Sequence, residues 1–136
     1  GSAPVTLTNV KFTDNGSNST TSEVYTLYAS SENSSDYTTN LMATSSNNVN
    51  FGTISSSNQV TINGGAYRYL TVVVTTASGL ATGDSFNLAV ASLGDLKYSV
   101  SESNLGYDAN ADNDISDTIT GLYVNGQPVL GTIVKQ

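Results

Sequence analysis

Tyr67-Arg68-Tyr69-Leu70-Thr71-Val72-Val73-Val74-Thr75-Thr76 decides how this chain folds. Side chains alternate across an extended backbone, so Leu70, Val72 and Val74 share one face while Tyr67, Tyr69, Thr71 and Val73 share the other. β-branched and aromatic residues fill most positions, as a pleated surface favours. Both faces are partly apolar, which predicts a strand in the middle of its sheet.

Working outward, the same period of two recurs in short runs. Residues 5–7 and 10–12 alternate, with a slip of phase at Thr8-Asn9 of the kind a bulge or a bend between sheets produces. Val24-Tyr25-Thr26-Leu27-Tyr28 reads as a strand, and residues 49–51 and 60–62 flank a Ser-Ser-Ser-Asn turn at 55–58. Phe86, Leu88 and Val90 oppose Ser85, Asn87, Ala89 and Ala91, the pattern of a half-buried strand. Leu96, Tyr98 and Val100 repeat it after a turn at Gly94-Asp95. In the segment 121–130, Asn125-Gly126 separates two apolar runs, and both residues tolerate the positive φ of a type I′ hairpin turn. No segment carries apolar residues at helical spacing. The expectation is an all-β chain: an antiparallel β-sandwich, immunoglobulin-like or jelly-roll, of about eight or nine strands. It is expected as a single domain over residues 3–136, because 136 residues bury one core and are too few for two.

Composition narrows the function. Charged residues make up 11% of the chain, and Ser, Thr, Asn and Gly supply nearly half of it, so hydroxyls and amides do most of the solvation. Four Lys and Arg against eleven Asp and Glu leave no basic footprint for nucleic acid or an anionic membrane. Without Cys or His there is no thiol nucleophile, no disulfide, no ordinary zinc site and no Ser-His triad. Gly1-Ser2 reads as an expression scar from tag removal, and a hydrophobic anchor is expected to have preceded Ala3.

Two stretches, 14–22 and 30–36, read as small, polar loops. They carry three glycosylation sequons, at Asn15, Asn18 and Asn33, which fits a glycosylated outer surface; matches by composition alone are common in a chain so rich in Asn, Ser and Thr.

The segment 108–117 is the one cluster of chemistry-bearing groups. Asp108, Asn110, Asp112 and Asp114 alternate, Asp117 follows, and oxygens so spaced converge if the loop curls around calcium. The start matches an EF-hand loop, but the sixth position is Asn113 rather than Gly and the twelfth is Ile119 rather than Glu. A solvated acidic loop is the plainer reading; calcium is the cofactor the pattern allows. Asp84, Asp95 and Glu102 are the acids near strands that a glycosidase pair would draw on. Each sits in a turn-like context, and no nucleophile elbow or phosphate loop is present, so no catalysis is expected.

Eight Tyr and no Trp form a lopsided aromatic set. Tyr67 and Tyr69 share a face around Arg68, and with Val73 they are the candidate contact residues of a protein interface. Tyrosine also serves as an ordinary strand residue or a sugar-stacking platform. Low ion content suits an exposed, acidic exterior, since a chain with few ion pairs has few to lose when carboxylates are protonated.

The stretch Val60-Thr61-Ile62-Asn63-Gly64-Gly65-Ala66-Tyr67-Arg68-Tyr69-Leu70-Thr71-Val72-Val73-Val74, with Ala81-Thr82-Gly83-Asp84-Ser85-Phe86-Asn87-Leu88, resembles the rhythm of prokaryotic surface β-sandwich modules in surface-layer-associated and appendage proteins. The cast is similar to Ig-like ectodomains of archaeal surface proteins, including archaellum stator components. The resemblance implies a non-catalytic role in binding a protein of the cell envelope or an appendage, or in self-association. It implies a place outside the cytoplasm, with membrane contact only through a lost N-terminal anchor, and it carries over no functional residue. Two alternatives remain open: a calcium-supported carbohydrate-binding module, and a spacer repeat of a large surface adhesin.

Overall fold

The computed structural model describes residues 3–17, 22–31, 35–77 and 80–123. In chain order the strands are β1 (Val5–Lys11), β2 (Thr13–Asp14), β3 (Glu23–Ser31), β4 (Leu41–Ser46), β5 (Asn50–Thr53), β6 (Val60–Ile62), β7 (Arg68–Thr76), β8 (Leu88–Ala89), β9 (Leu96–Ser101) and β10 (Thr118–Leu122). Among the described residues one short α-helix, α1 (Glu102–Leu105), interrupts them. The chain is all-β, and every pairing among the described residues is antiparallel. Gly1-Ser2, Asn18, Asn33 and the expected hairpin at Asn125-Gly126 lie outside the described residues. No helix among the described residues is long and apolar enough to cross a membrane.

Two sheets carry the core. One runs β10-β9-β1-β5, with β6 also on β1; the other runs β4-β3-β7. β5 and β6 line the same edge of β1 in succession, pairing with its residues 9–11 and 5–7, and a 3-10 turn at Ser56–Asn58 joins them. This is the turn expected at 55–58. Leu7 and Val10 from β1 meet Leu27 and Ala29 from β3, Met42 from β4, and Ile54. Leu7 and Val10 differ in strand parity and would ordinarily face opposite ways. Both reach the core because the β1–β9 register shifts between Leu7 and Asn9, where the sequence changes phase.

Two expectations need correction, and one strand is added. β7 is not central: among the described residues it pairs only with β3, and the middle strand is β3, whose alternate residues Tyr25, Leu27 and Ala29 are buried. On the second face of β7, Tyr69 and Thr75 are exposed and Thr71 and Val73 half-buried. β4, Leu-Met-Ala-Thr-Ser-Ser, is a strand to which the sequence reading assigns no element, and Met42 enters the core beside a bulge opposite Leu27 and Tyr28. In the segment 85–91 only Leu88–Ala89 forms a ladder, and the buried residue is Ala89 rather than the Phe86, Leu88, Val90 set. Phe86 instead packs edge-on against Tyr25, with ring centroids 6.3 Å apart.

α1 was not expected from sequence. It is a single turn closed by Gly106, whose φ of 75° suits the left-handed cap position and whose N–H donates to the Glu102 carbonyl at 2.9 Å.

Candidate functional site

Two surfaces gather the residues singled out from sequence. The first is the outer face of the β4-β3-β7 sheet. Register sets its membership: Tyr69, Thr71, Val73 and Thr75 of β7 stand opposite Ser30, Tyr28, Thr26 and Val24 of β3. Tyr28, Thr26 and Val24 in turn face Leu41, Thr44 and Ser46 of β4. None of these positions holds an acidic or basic residue. Arg68, between the two tyrosines, falls on the opposite face, and its Nη2 reaches the Thr61 carbonyl at 3.4 Å.

Tyr67 and Tyr69 come together as expected, with ring centroids 5.3 Å apart and planes at 86°. A third ring, Tyr37, joins them at 5.1 Å and 85° from Tyr69. Tyr37, Tyr67 and Tyr69 remain 48%, 52% and 39% exposed. Sequence reasoning missed Tyr37 because it sits outside any strand; the only local signal is Asp36, whose carboxylate accepts from both the Thr38 N–H at 2.8 Å and the Thr38 hydroxyl at 2.6 Å. Val73 shares the face but stands about 13 Å along the strand from Tyr69, at ~3.3 Å per residue. It extends the patch without touching the rings. Tyr25 and Tyr98 are structural, and burial raises the pKa of both hydroxyls.

The second surface is the acidic loop. Its carboxylates bend the chain by accepting its own amides. Asp108 takes the N–H groups of Ala111, Asp112 and Asn113. Asp112 takes that of Asp114 at 2.9 Å, and Asp114 takes that of Ser116 at 2.8 Å, which lowers the Asp114 pKa. Asn113 has a φ of 70°, the left-handed conformation a glycine would otherwise supply at this sixth position. Asn110 donates through Nδ2 to Asp112 at 3.1 Å and to Asp117 at 3.2 Å. Among the described residues no group of three acidic side chains already stands where it would hold a metal.

The three acids weighed for hydrolysis are each tied to backbone. Asp84 accepts from Ala81 N–H at 2.7 Å, Asp95 from Ser92 N–H at 3.0 Å in a capping box, and Glu102 from Ala109 and Asn110. Asn15, the described sequon asparagine, is exposed, and its backbone N–H is held by Asn87 O at 2.8 Å. A groove of about 210 Å³ beside α1 is lined by hydroxyls of Thr6, Thr61, Ser99, Ser101 and Thr118, with no charged or aromatic group.

No family model matches the chain, and neither a curated protein nor a solved structure matches it.

Proposed function

We propose that this chain is a non-catalytic, extracytoplasmic protein-binding module of a cell envelope or surface appendage, of surface-layer or motor-anchoring type, on an immunoglobulin-like sandwich. The observation that carries the reading is the uncharged outer face of the β4-β3-β7 sheet, ending in three exposed and mutually packed tyrosines. Removing such a face from water strips no ion of its hydration, and rigid aromatic rings supply contact area with few rotamers to freeze. β7 adds an edge whose outer backbone groups have no strand partner among the described residues, which suits strand addition by a protein partner or a second copy.

A sugar platform fits this patch less well. Sugars stack on open ring faces, whereas these rings pack edge to face near 85°, so that in each pair one ring's face is met by its neighbour's edge. Sedimentation velocity, together with co-sedimentation on isolated cell envelopes, tests the reading. Tyr69→Lys, and Val73→Lys beside it, are expected to abolish envelope binding or self-association while the fold persists. Unchanged association in both variants overturns it, and binding to a polysaccharide panel that is lost in Tyr69→Ala replaces it with the carbohydrate reading.

A further inference from the structure

The β4-β3-β7 sheet ends in an edge that nothing blunts. β7 pairs with β3 over nine residues, Arg68 to Thr76, without a shift of register, and its other side has no strand partner among the described residues. Sheet edges exposed to water ordinarily carry a proline, a bulge or a lysine, or stay short. The other edges among the described residues follow that rule. β4 bulges at Met42, and β10 shifts register between Ile119 and Leu122, where Gly121 has a φ of 72°. β5 and β6 are only four and three residues long. β7 has no proline, no lysine and no bulge, and its single charge stands at its first residue.

This edge is complementary to itself. In an antiparallel ladder about a two-fold axis through Val72, residue 68 stands opposite 76, 69 opposite 75, 70 opposite 74 and 71 opposite 73, so the whole strand pairs. Opposite residues share a face. Leu70, Val72 and Val74 therefore meet the second copy's Val74, Val72 and Leu70 on the core side, and Tyr69 meets its Thr75 on the outer side. Sliding the pairing by one residue turns every side chain to the wrong face, and sliding it by two shortens the ladder. The charges fit as well. The three strands of the sheet hold two charged residues, Arg68 at one end of β7 and Glu23 of β3, opposite Thr76, at the other. The two-fold axis sets each Arg68 beside the second copy's Thr76, one strand away from its Glu23 and on the same face, with about 10 Å between their backbones.

We infer that β7 pairs with β7 of a second copy of this chain in this register, joining two three-stranded sheets into one of six strands. The inference rests on the proposed reading of this sheet as a protein-binding surface and names what occupies its edge. At ~3.3 Å per residue the edge is about 30 Å long, and at about 10 Å thick it brings roughly 300 Å² of each copy into contact. A stable interface takes about 800 Å² from each partner, so the dimer is expected to be weak and to form reversibly with concentration. Its consequence is bivalence. The antiparallel arrangement places the two Tyr69 residues about 20 Å apart along the joined strands, at opposite ends of one continuous uncharged face. Two such clusters on one body bind an arrayed envelope surface more tightly than one does.

The test exploits a chain without Cys, in which an introduced thiol has only its counterpart to react with. Opposite residues of an antiparallel ladder have Cα atoms about 4.5–5.5 Å apart, within the span of a disulfide. Val72→Cys is expected to give a covalent dimer on mild oxidation. Tyr69→Cys and Thr75→Cys, both at exposed positions, are expected to cross-link when mixed and not when either is oxidised alone. If Val72→Cys does not fold, the mixture decides. Sedimentation velocity of the wild type is expected to show monomer passing to dimer as concentration rises, and Arg68→Glu is expected to move that transition to higher concentration. A wild-type chain that stays monomeric up to millimolar concentration overturns the inference; if that monomer still binds envelopes, the protein-binding reading stands without it. A dimer in which neither Val72→Cys nor the mixture cross-links also overturns it, because the copies then meet through another surface. Cross-linking in this register without any binding to envelopes supports the inference and removes the envelope reading alone.

Discussion

Tyr37 and Tyr69 meet edge to face at 5.1 Å, one from a turn and the other from the edge strand β7. The contact ties the segment after β3 to the strand that β3 pairs with, and it leaves both rings open to solvent. Each such pair is worth about 0.5–1.5 kcal/mol beyond buried area. A double-mutant cycle of Tyr37→Ala and Tyr69→Ala in urea unfolding is therefore expected to show coupling of about 0.5–1.5 kcal/mol. Additivity of the two substitutions would mean that the rings do not interact in solution.

The core makes a contrasting pair. Leu27 is fully buried in the central strand, and Leu27→Ala is expected to lose about 2–5 kcal/mol through lost transfer energy and the cavity left behind. Ser30, on the same strand, is equally buried, but its Oγ has no partner. Ser30→Ala removes an unsatisfied polar atom and is expected to be neutral or to stabilise by about 1 kcal/mol. Urea midpoints at constant m-value check both, and a large loss in Ser30→Ala would show that the hydroxyl has a partner.

Gly16 passes so close to the Ser85 carbonyl oxygen and the Phe86 Cα that a Cβ has no room. Gly16→Ala is expected to pry the β2 extension from the segment 85–87, at about 1–3 kcal/mol. The Tyr25–Phe86 contact then reports the damage through near-ultraviolet circular dichroism. An unchanged spectrum and midpoint would contradict the close approach.

Acid should unfold this protein more readily than its scarcity of ion pairs implies. The carboxylates are tied to backbone amides instead, and the Thr38 and Ser116 hydrogen bonds hold Asp36 and Asp114 below the ordinary carboxylate range. A folded pKa lowered below the unfolded value contributes stability above the unfolded pKa and loses it as pH falls through the folded one. The melting midpoint is therefore expected to hold level above about pH 5 and to fall below about pH 4. Asp114→Asn should flatten part of that fall. At the other end, burial raises Tyr25 and Tyr98, so stability is expected to decline as pH rises past about 10, where the unfolded tyrosines ionise first. A midpoint that stays level down to pH 2 would contradict the acid limb.

How far the sequence carries depends on the range of the cause. The slip at Thr8-Asn9, the turn at 55–58, and the strands β1, β3, β5, β6, β7 and β9 were legible because alternation and turn chemistry act between neighbours in the chain. β4 was not legible, because a Ser-rich strand shows itself only through the sheet that accepts it. The site divides the same way. Tyr67 and Tyr69 share a face by parity, and the alternating oxygens of the loop are visible in the order of its residues.

By itself, then, the sequence determined an all-β chain with an uncharged, tyrosine-bearing strand and one acidic loop. Only the tertiary structure decided that β7 lies at an edge of its described sheet, that Tyr37 joins Tyr69, and that the Glu102 carboxylate is buried against the loop. The physical reason is that period and turn preference are properties of adjacent residues. Burial, edge position and the meeting of distant side chains belong to the packing of sheets, which no local pattern records.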